Sequence, residues 1–133
     1  MKLFIISAQY PPIKCRIGDY VANLCLYFKW KSDIDPYVIT SSASDIPNSQ
    51  VTDDGVYIHR IMENWGIFEV SKIMKLIKKE NPQIVHIQYD FNSFSQKWML
   101  SILPFLIKKY RRKIKVVTSF SDFSNEINKN FNT

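Results

Sequence analysis

Lys2-Leu3-Phe4-Ile5-Ile6-Ser7-Ala8 is an apolar run rich in Ile and Phe, closed by Gln9-Tyr10-Pro11-Pro12. A short apolar run with proline at its exit is what a strand buried on both faces of a parallel sheet requires. From Gly18 onward Val21, Leu24, Cys25 and Phe28 recur at i, i+3, i+4 and i+7, the spacing of a helix that lays one face on a sheet. Strand, proline-rich loop and helix make the first unit, and the fold class depends on whether that unit repeats.

It repeats along the chain. Pro36-Tyr37-Val38-Ile39-Thr40 is a second β-rich run, and Ser41 to Asp54, with eight Ser, Asp or Thr residues and one Pro, reads as an exposed loop. Val56-Tyr57-Ile58-His59-Arg60-Ile61 is a third strand. Helical spacing returns at Ile67, Val70, Met74 and Ile77, with Lys72, Lys75, Lys78 and Lys79 mostly turned to the other side, and Asn81-Pro82 ends it. Ile84 to Tyr89 is a fourth strand, Ser95 to Tyr110 a third helix bent near Pro104, and Lys113 to Thr118 a fifth strand.

The order β α β β α β α β predicts an α/β fold, a Rossmann-like parallel sheet flanked by helices on both faces. Such sheets bind ligands at the carboxyl ends of their strands, where the strand order reverses. The loops after Ala8, Tyr89 and Ser119 are therefore the places to look. A sheet ending at the fifth strand is also expected to leave an unpaired edge that favours self-association.

The chain has 133 residues, 46% hydrophobic and 14% aromatic, enough to bury a core and to exclude disordered and fibrous classes. Its longest apolar run, Trp98 to Ile107, is interrupted by Ser101 and Pro104 and falls short of the roughly 20 residues that span a bilayer. The start, Met1-Lys2 followed by four apolar residues, lacks a small-residue cleavage site and reads as a strand, not a signal peptide. Cys15 and Cys25 have neither CxxC spacing nor a nearby histidine, so no disulfide or zinc site is indicated and a reducing cytoplasm is expected.

Eighteen Lys and Arg against twelve Asp and Glu give a net charge of +6, which favours phosphates, nucleic acid or anionic lipid. No Walker A loop, G-x-G-x-x-G, nucleophile elbow or HExxH is present, so ATPase, dehydrogenase and metalloprotease readings lack a site. A nucleic-acid-binding protein remains an alternative on charge alone, with no helix-turn-helix, zinc finger or RNP-like motif to specify it.

Tyr10 to Gly18 lies between the first strand and helix, where backbone N–H groups and the helix dipole favour an anion. Lys14 and Arg16 strengthen that reading; a tight turn with solvated cations is the plain alternative. His86 reads as a satisfied core histidine, and His59 as a structural residue of an edge strand. Gln88, Tyr89 and Asp90 lie at a strand's carboxyl end, where an acceptor would be met. Lys108, Lys109, Arg111, Arg112, Lys113 and Lys115 place six cations in eight residues, a solvated helix end or a membrane-surface patch. Trp98, Met99 and Phe105 are expected in the sheet-facing core.

Tyr10-Pro11-Pro12, Ile17-Gly18-Asp19-Tyr20-Val21-Ala22-Asn23-Leu24, Asn81-Pro82-Gln83-Ile84-Val85-His86-Ile87-Gln88 and Val116-Val117-Thr118, in this order, resemble the N-terminal Rossmann-like domain of GT-B glycosyltransferases of the family 4 type. The likeness covers residues 1–123, leaving 124–133 as a polar tail expected to fray. It implies the N-terminal half of a GT-B fold, holding a glycan or lipid-linked acceptor. Such enzymes are retaining and take a nucleotide-sugar as substrate, with no separate cofactor and no metal. Their C-terminal lobe grips the donor through an E-x7-E motif, which this chain lacks, so by itself it is expected to be inactive and to need a separate C-terminal domain.

On the same resemblance Arg16, Ile17 and Gly18 form the donor-phosphate and acceptor loop, Gln88, Tyr89 and Asp90 the acceptor side, and Lys108, Lys109, Arg111, Arg112 and Lys113 the patch that docks on an anionic membrane. The expected location is cytoplasmic, peripheral to the inner face of the membrane. Two departures stand out. Cys15-Arg16 replaces the family's paired glycines, and Ser121 replaces a histidine before Asp122, leaving Ser121 and Asp122 as the catalytic candidates. The competing expectation is a non-catalytic remnant or binding module that keeps the fold.

Overall fold

The first strand alternates its burial to both sides: Phe4 and Ile6 face one layer, Leu3 and Ile5 the other, and all four are buried. In the computed structural model, which describes residues 1–90 and 99–121, this strand β1 (Lys2–Ile6) sits centrally in a six-stranded sheet. The other strands are β2 (Asp35–Ser41), β3 (Ser49–Val51), β4 (Tyr57–Met62), β5 (Ile84–Asp90) and β6 (Lys115–Ser121). Their spatial order is β3-β4-β2-β1-β5-β6. Every pair is parallel except β3 with β4.

Helix α1 (Arg16–Lys31) covers one face, burying Ile17, Gly18, Val21 and Cys25 on the side of Leu3, Ile5, Val38 and Ile58. On the other face lie α2 (Val70–Glu80) and α3 (Met99–Tyr110). Ile73 and Ile77 of α2 and Met99, Leu100, Leu103 and Ile107 of α3 join Phe4, Ile6, Ile39, Val85 and Ile87 in the larger core. Asn81 ends α2 in the left-handed conformation (φ 52°), and Pro82 follows. The alternating order of strands and helices therefore has the Rossmann-like form read from the sequence. No helix among the described residues is long and apolar enough to cross a membrane.

Five details depart from the sequence reading. The loop assigned to Ser41–Asp54 contains β3, whose strand state comes from pairing Gln50 and Val51 with Ile58 and Tyr57. His59 is consequently not at an edge, because β4 is flanked by β2 and β3. The segment at Ile67 begins as a 3-10 turn (Ile67–Glu69) before α2. Strand β6 starts at Lys115, two residues later than the sequence reading puts it, while α3 runs to Tyr110 as read, with Pro104 inside it. Phe105 is 70% exposed instead of facing the sheet, whereas Met99 is buried; Trp98 and the tail 124–133 lie outside the described residues.

Candidate functional site

Strand order reverses between β1 and β5: the chain leaves β1 toward β2 on one side, and β5 pairs on the other. Both strands are parallel, with Ile6 opposite Ile87, so the loop after β1 and the end of β5 share one carboxyl edge. That edge is the place where doubly wound sheets hold ligands.

The loop after β1 is fixed by several partners. Ser7 donates its N–H to Ile39 O (3.0 Å) and its hydroxyl to Gln9 O (2.8 Å). Ser41 donates its Oγ to Ala8 O (2.6 Å), and Trp65 donates Nε1 to that same Ser41 oxygen (2.8 Å). Arg60, 0% exposed on β4, donates Nη1 to Tyr10 O (3.5 Å) and Nη2 to Pro11 O. Its guanidinium also lies 5.7 Å from the centre of the Tyr10 ring. Arg60 has no carboxylate partner among the described residues, its Nε finds no acceptor there, and burial lowers its pKa. A buried cation is thus held by carbonyls and an aromatic face, and burial likewise pushes the Tyr10 hydroxyl up to about 12.

Gly18 lies in the first turn of α1, against this loop. A Cβ there would stand 3.1 Å from Gln9 C, Gln9 O and Tyr10 Cα. The missing side chain lets the helix and its own loop touch backbone to backbone. Ile17 is buried, and Arg16 and Lys14 are exposed. Cys15 caps the helix without a side-chain hydrogen bond, so the first N–H groups of α1 carry no capping side chain, and Asp19 is the acid of that turn. An exposed cation beside an uncapped helix start can hold an anion.

At the end of β5, neighbouring residues serve opposite faces. Gln88 is 1% exposed and hydrogen-bonds with His86, whose Nε2 lies 3.0 Å from Ser119 Oγ on β6. Burial lowers the His86 pKa and Gln88 opposes it, so the ring is neutral near pH 7. Tyr89 turns to the α3 side, its ring 5.5 Å from that of Phe120, and lines a groove of about 270 Å³ with Leu100, Pro104 and Thr118. Asp90 ends β5, Ser121 ends β6 one strand over, and Asp122 lies outside the described residues.

The cationic patch is elsewhere. Lys108, Lys109, Arg111, Arg112 and Lys113 join the end of α3 to the start of β6, at the amino edge of the sheet. All five are exposed; Lys108 donates to Arg112 O and Ile114 O, and Arg111 to Asn81 Oδ1. Phe105 borders the hollow that Lys108, Lys109 and Arg112 line. The full length of a strand separates this patch from Arg16 and Gln88, roughly 20 Å at about 3.3 Å per residue.

Two side chains missed in the sequence shape the carboxyl edge. Arg60 is one, and Glu69 is the other. The Glu69 carboxylate accepts the N–H groups of Glu63 (3.0 and 3.1 Å), Asn64 (2.7 Å) and Trp65 (2.7 Å) and pairs with Lys72 (2.7 Å). Burial pushes this carboxyl up, but Lys72 and the three N–H groups outweigh it and bring it to about 2. Trp65 takes the left-handed conformation (φ 58°) in this wrapped loop. Beside it opens a hollow of about 680 Å³, bordered by Ser42, Ser44, Lys72 and Lys75 at the ends of β2 and β4.

No protein-family model matches the chain, and no curated protein matches it.

Proposed function

We propose that this Rossmann-like domain is the acceptor-side lobe of a retaining GT-B glycosyltransferase, one that moves a sugar from a nucleotide-sugar to a glycan or lipid-linked acceptor. The observation that carries the reading is the shared carboxyl edge: the loop after β1 leads into the uncapped start of α1 with Arg16, and the neighbouring parallel strand β5 ends there with Gln88 and Tyr89. The motif order along residues 10–24, 81–88 and 116–118 is its second support.

In the proposed reaction the leaving diphosphate gains negative charge as the glycosidic bond breaks. Fixed dipoles and cations lower that barrier when they are already aimed at the developing charge. The first N–H groups of α1 supply the dipole, and Arg16, standing where the family has glycine, supplies a cation in place of close backbone approach. Tyr89 offers an aromatic face to the acceptor, while Gln88, buried beside it, holds His86 at the same strand end. Ser121 and Asp122 stay the catalytic candidates, and a separate C-terminal lobe grips the nucleotide. In this proposal Lys108, Lys109, Arg111, Arg112 and Lys113 touch anionic headgroups at the inner face of the membrane, and an acceptor held there reaches the site along the length of the sheet.

The test mixes the chain with separately produced C-terminal lobes and a nucleotide-sugar panel, reading release of the nucleoside diphosphate. Release that needs both lobes and falls about tenfold or more in Arg16→Glu supports the transferase. Silence with every lobe, from a folded chain, favours the non-catalytic binding module, to which Cys15-Arg16 in place of glycines already points.

A further inference from the structure

We infer that the hollow at the carboxyl ends of β2 and β4 binds a phosphorylated sugar, its phosphate held by Lys72 and Lys75 and its hydroxyl groups by Glu63. The hollow measures about 680 Å³, within the roughly 300–1,000 Å³ of small-molecule sites. The connection from β2 to β3 forms one wall with Ser42 and Ser44, and α2 forms the other with Lys72 and Lys75. Arg60 and Glu63 line it from the end of β4. It lies on the other side of β1 from β5, so it is not the edge proposed above for transfer, and its ligand does not depend on that reading.

Charge decides the sign of the ligand. Lys72 donates to Glu69 Oε2 (2.7 Å) and Ile61 O (3.2 Å), which leaves one of its three N–H donors for a guest. Lys75 is exposed and makes no hydrogen bond or ion pair among the described residues. Arg60 is wholly buried, has no carboxylate partner among them, and its Nε lacks an acceptor. Three cations thus stand against Glu63 and Glu69, and buried charges call for a counter-charge. Lys72 and Lys75 are like charges three residues apart on one helix, a repulsion that an anion between them removes. A phosphate has oxygens enough to accept from both and from the hydroxyls of Ser42 or Ser44 as well.

Glu63 narrows the class. A carboxylate only accepts hydrogen bonds and repels a bare anion, so its place in the lining suits a molecule that also carries hydroxyl donors. No aromatic ring lines the hollow among the described residues to stack on a base, which favours a sugar phosphate over a nucleotide.

Isothermal titration of the full chain with glucose 6-phosphate tests this, with inorganic phosphate and glucose as partial probes. Saturable binding of glucose 6-phosphate, tighter than that of either partial probe, is expected. Lys75→Glu should weaken it about tenfold or more with an unchanged circular dichroism spectrum, and Ser44→Asp on the facing wall repeats the test if Lys75→Glu alters the fold. Lys31→Glu, the same charge change at the exposed end of α1, should leave the affinity where it was. Glu63→Ala should bring glucose 6-phosphate and inorganic phosphate to similar affinities, because the acceptor for the hydroxyl groups is gone. An absence of saturable binding, equal weakening by Lys75→Glu and Lys31→Glu, or inorganic phosphate bound as tightly as glucose 6-phosphate by the unaltered chain would overturn the proposal.

Discussion

The two ends of the sheet carry similar side chains under opposite conditions. At the carboxyl edge the polar groups are buried and committed: Arg60 to two carbonyls, Glu69 to three N–H groups and Lys72. At the amino edge they are more open, the Lys2–Glu80 pair (3.0 Å) half-buried and the row from Lys108 to Lys113 exposed. Burial makes a charge costly to leave unpaired, whereas water and salt screen an exposed pair almost to nothing. Stability should therefore hang on the first group of charges and ignore the second.

The largest effect is expected from Glu69→Ala, which orphans three backbone N–H groups and Lys72; roughly 3 kcal/mol should be lost in urea unfolding at neutral pH. The same carboxylate gives a pH signature. Its folded value of about 2 lies below the ordinary 4.5, so its contribution is complete above about 4.5 and fades as pH falls toward 2. Glu69→Ala should flatten that acid limb of the stability profile; an unchanged limb would mean that other carboxylates govern it. Next comes Arg60→Met, which keeps the bulk but strips the donors from Tyr10 and Pro11, with an expected loss of about 2 kcal/mol by thermal unfolding. Lys2→Met, at the more open edge, should leave the melting midpoint where it was. A large drop there would break the contrast.

What the sequence disclosed divides along the same line. Buried strands and helix faces announce themselves locally, because Leu3-Phe4-Ile5-Ile6 or Ile73 and Ile77 need only periodicity to be placed. Strand β3 did not, since Ser49-Gln50-Val51 is polar and becomes a strand through its partner β4. Arg60 lay inside a run correctly taken as a strand, yet its acceptors are 49 and 50 residues away in the chain, and no spacing rule reaches that far. Glu69 had a local signal in an acid at a helix start, but the wrapped loop before it was not readable. Arg16, Gln88 and Tyr89 were placed at one edge by topology alone, and His86 found a polar partner, Ser119, that lies 33 residues away.

The relay from Trp65 through Ser41 to Ala8 joins the exits of β4, β2 and β1 in two hydrogen bonds, with Arg60 adding a third tie. These three strand exits are braced as one rim before any guest arrives. A molecule docking there meets walls already set in place, so little of its binding energy is consumed in ordering them.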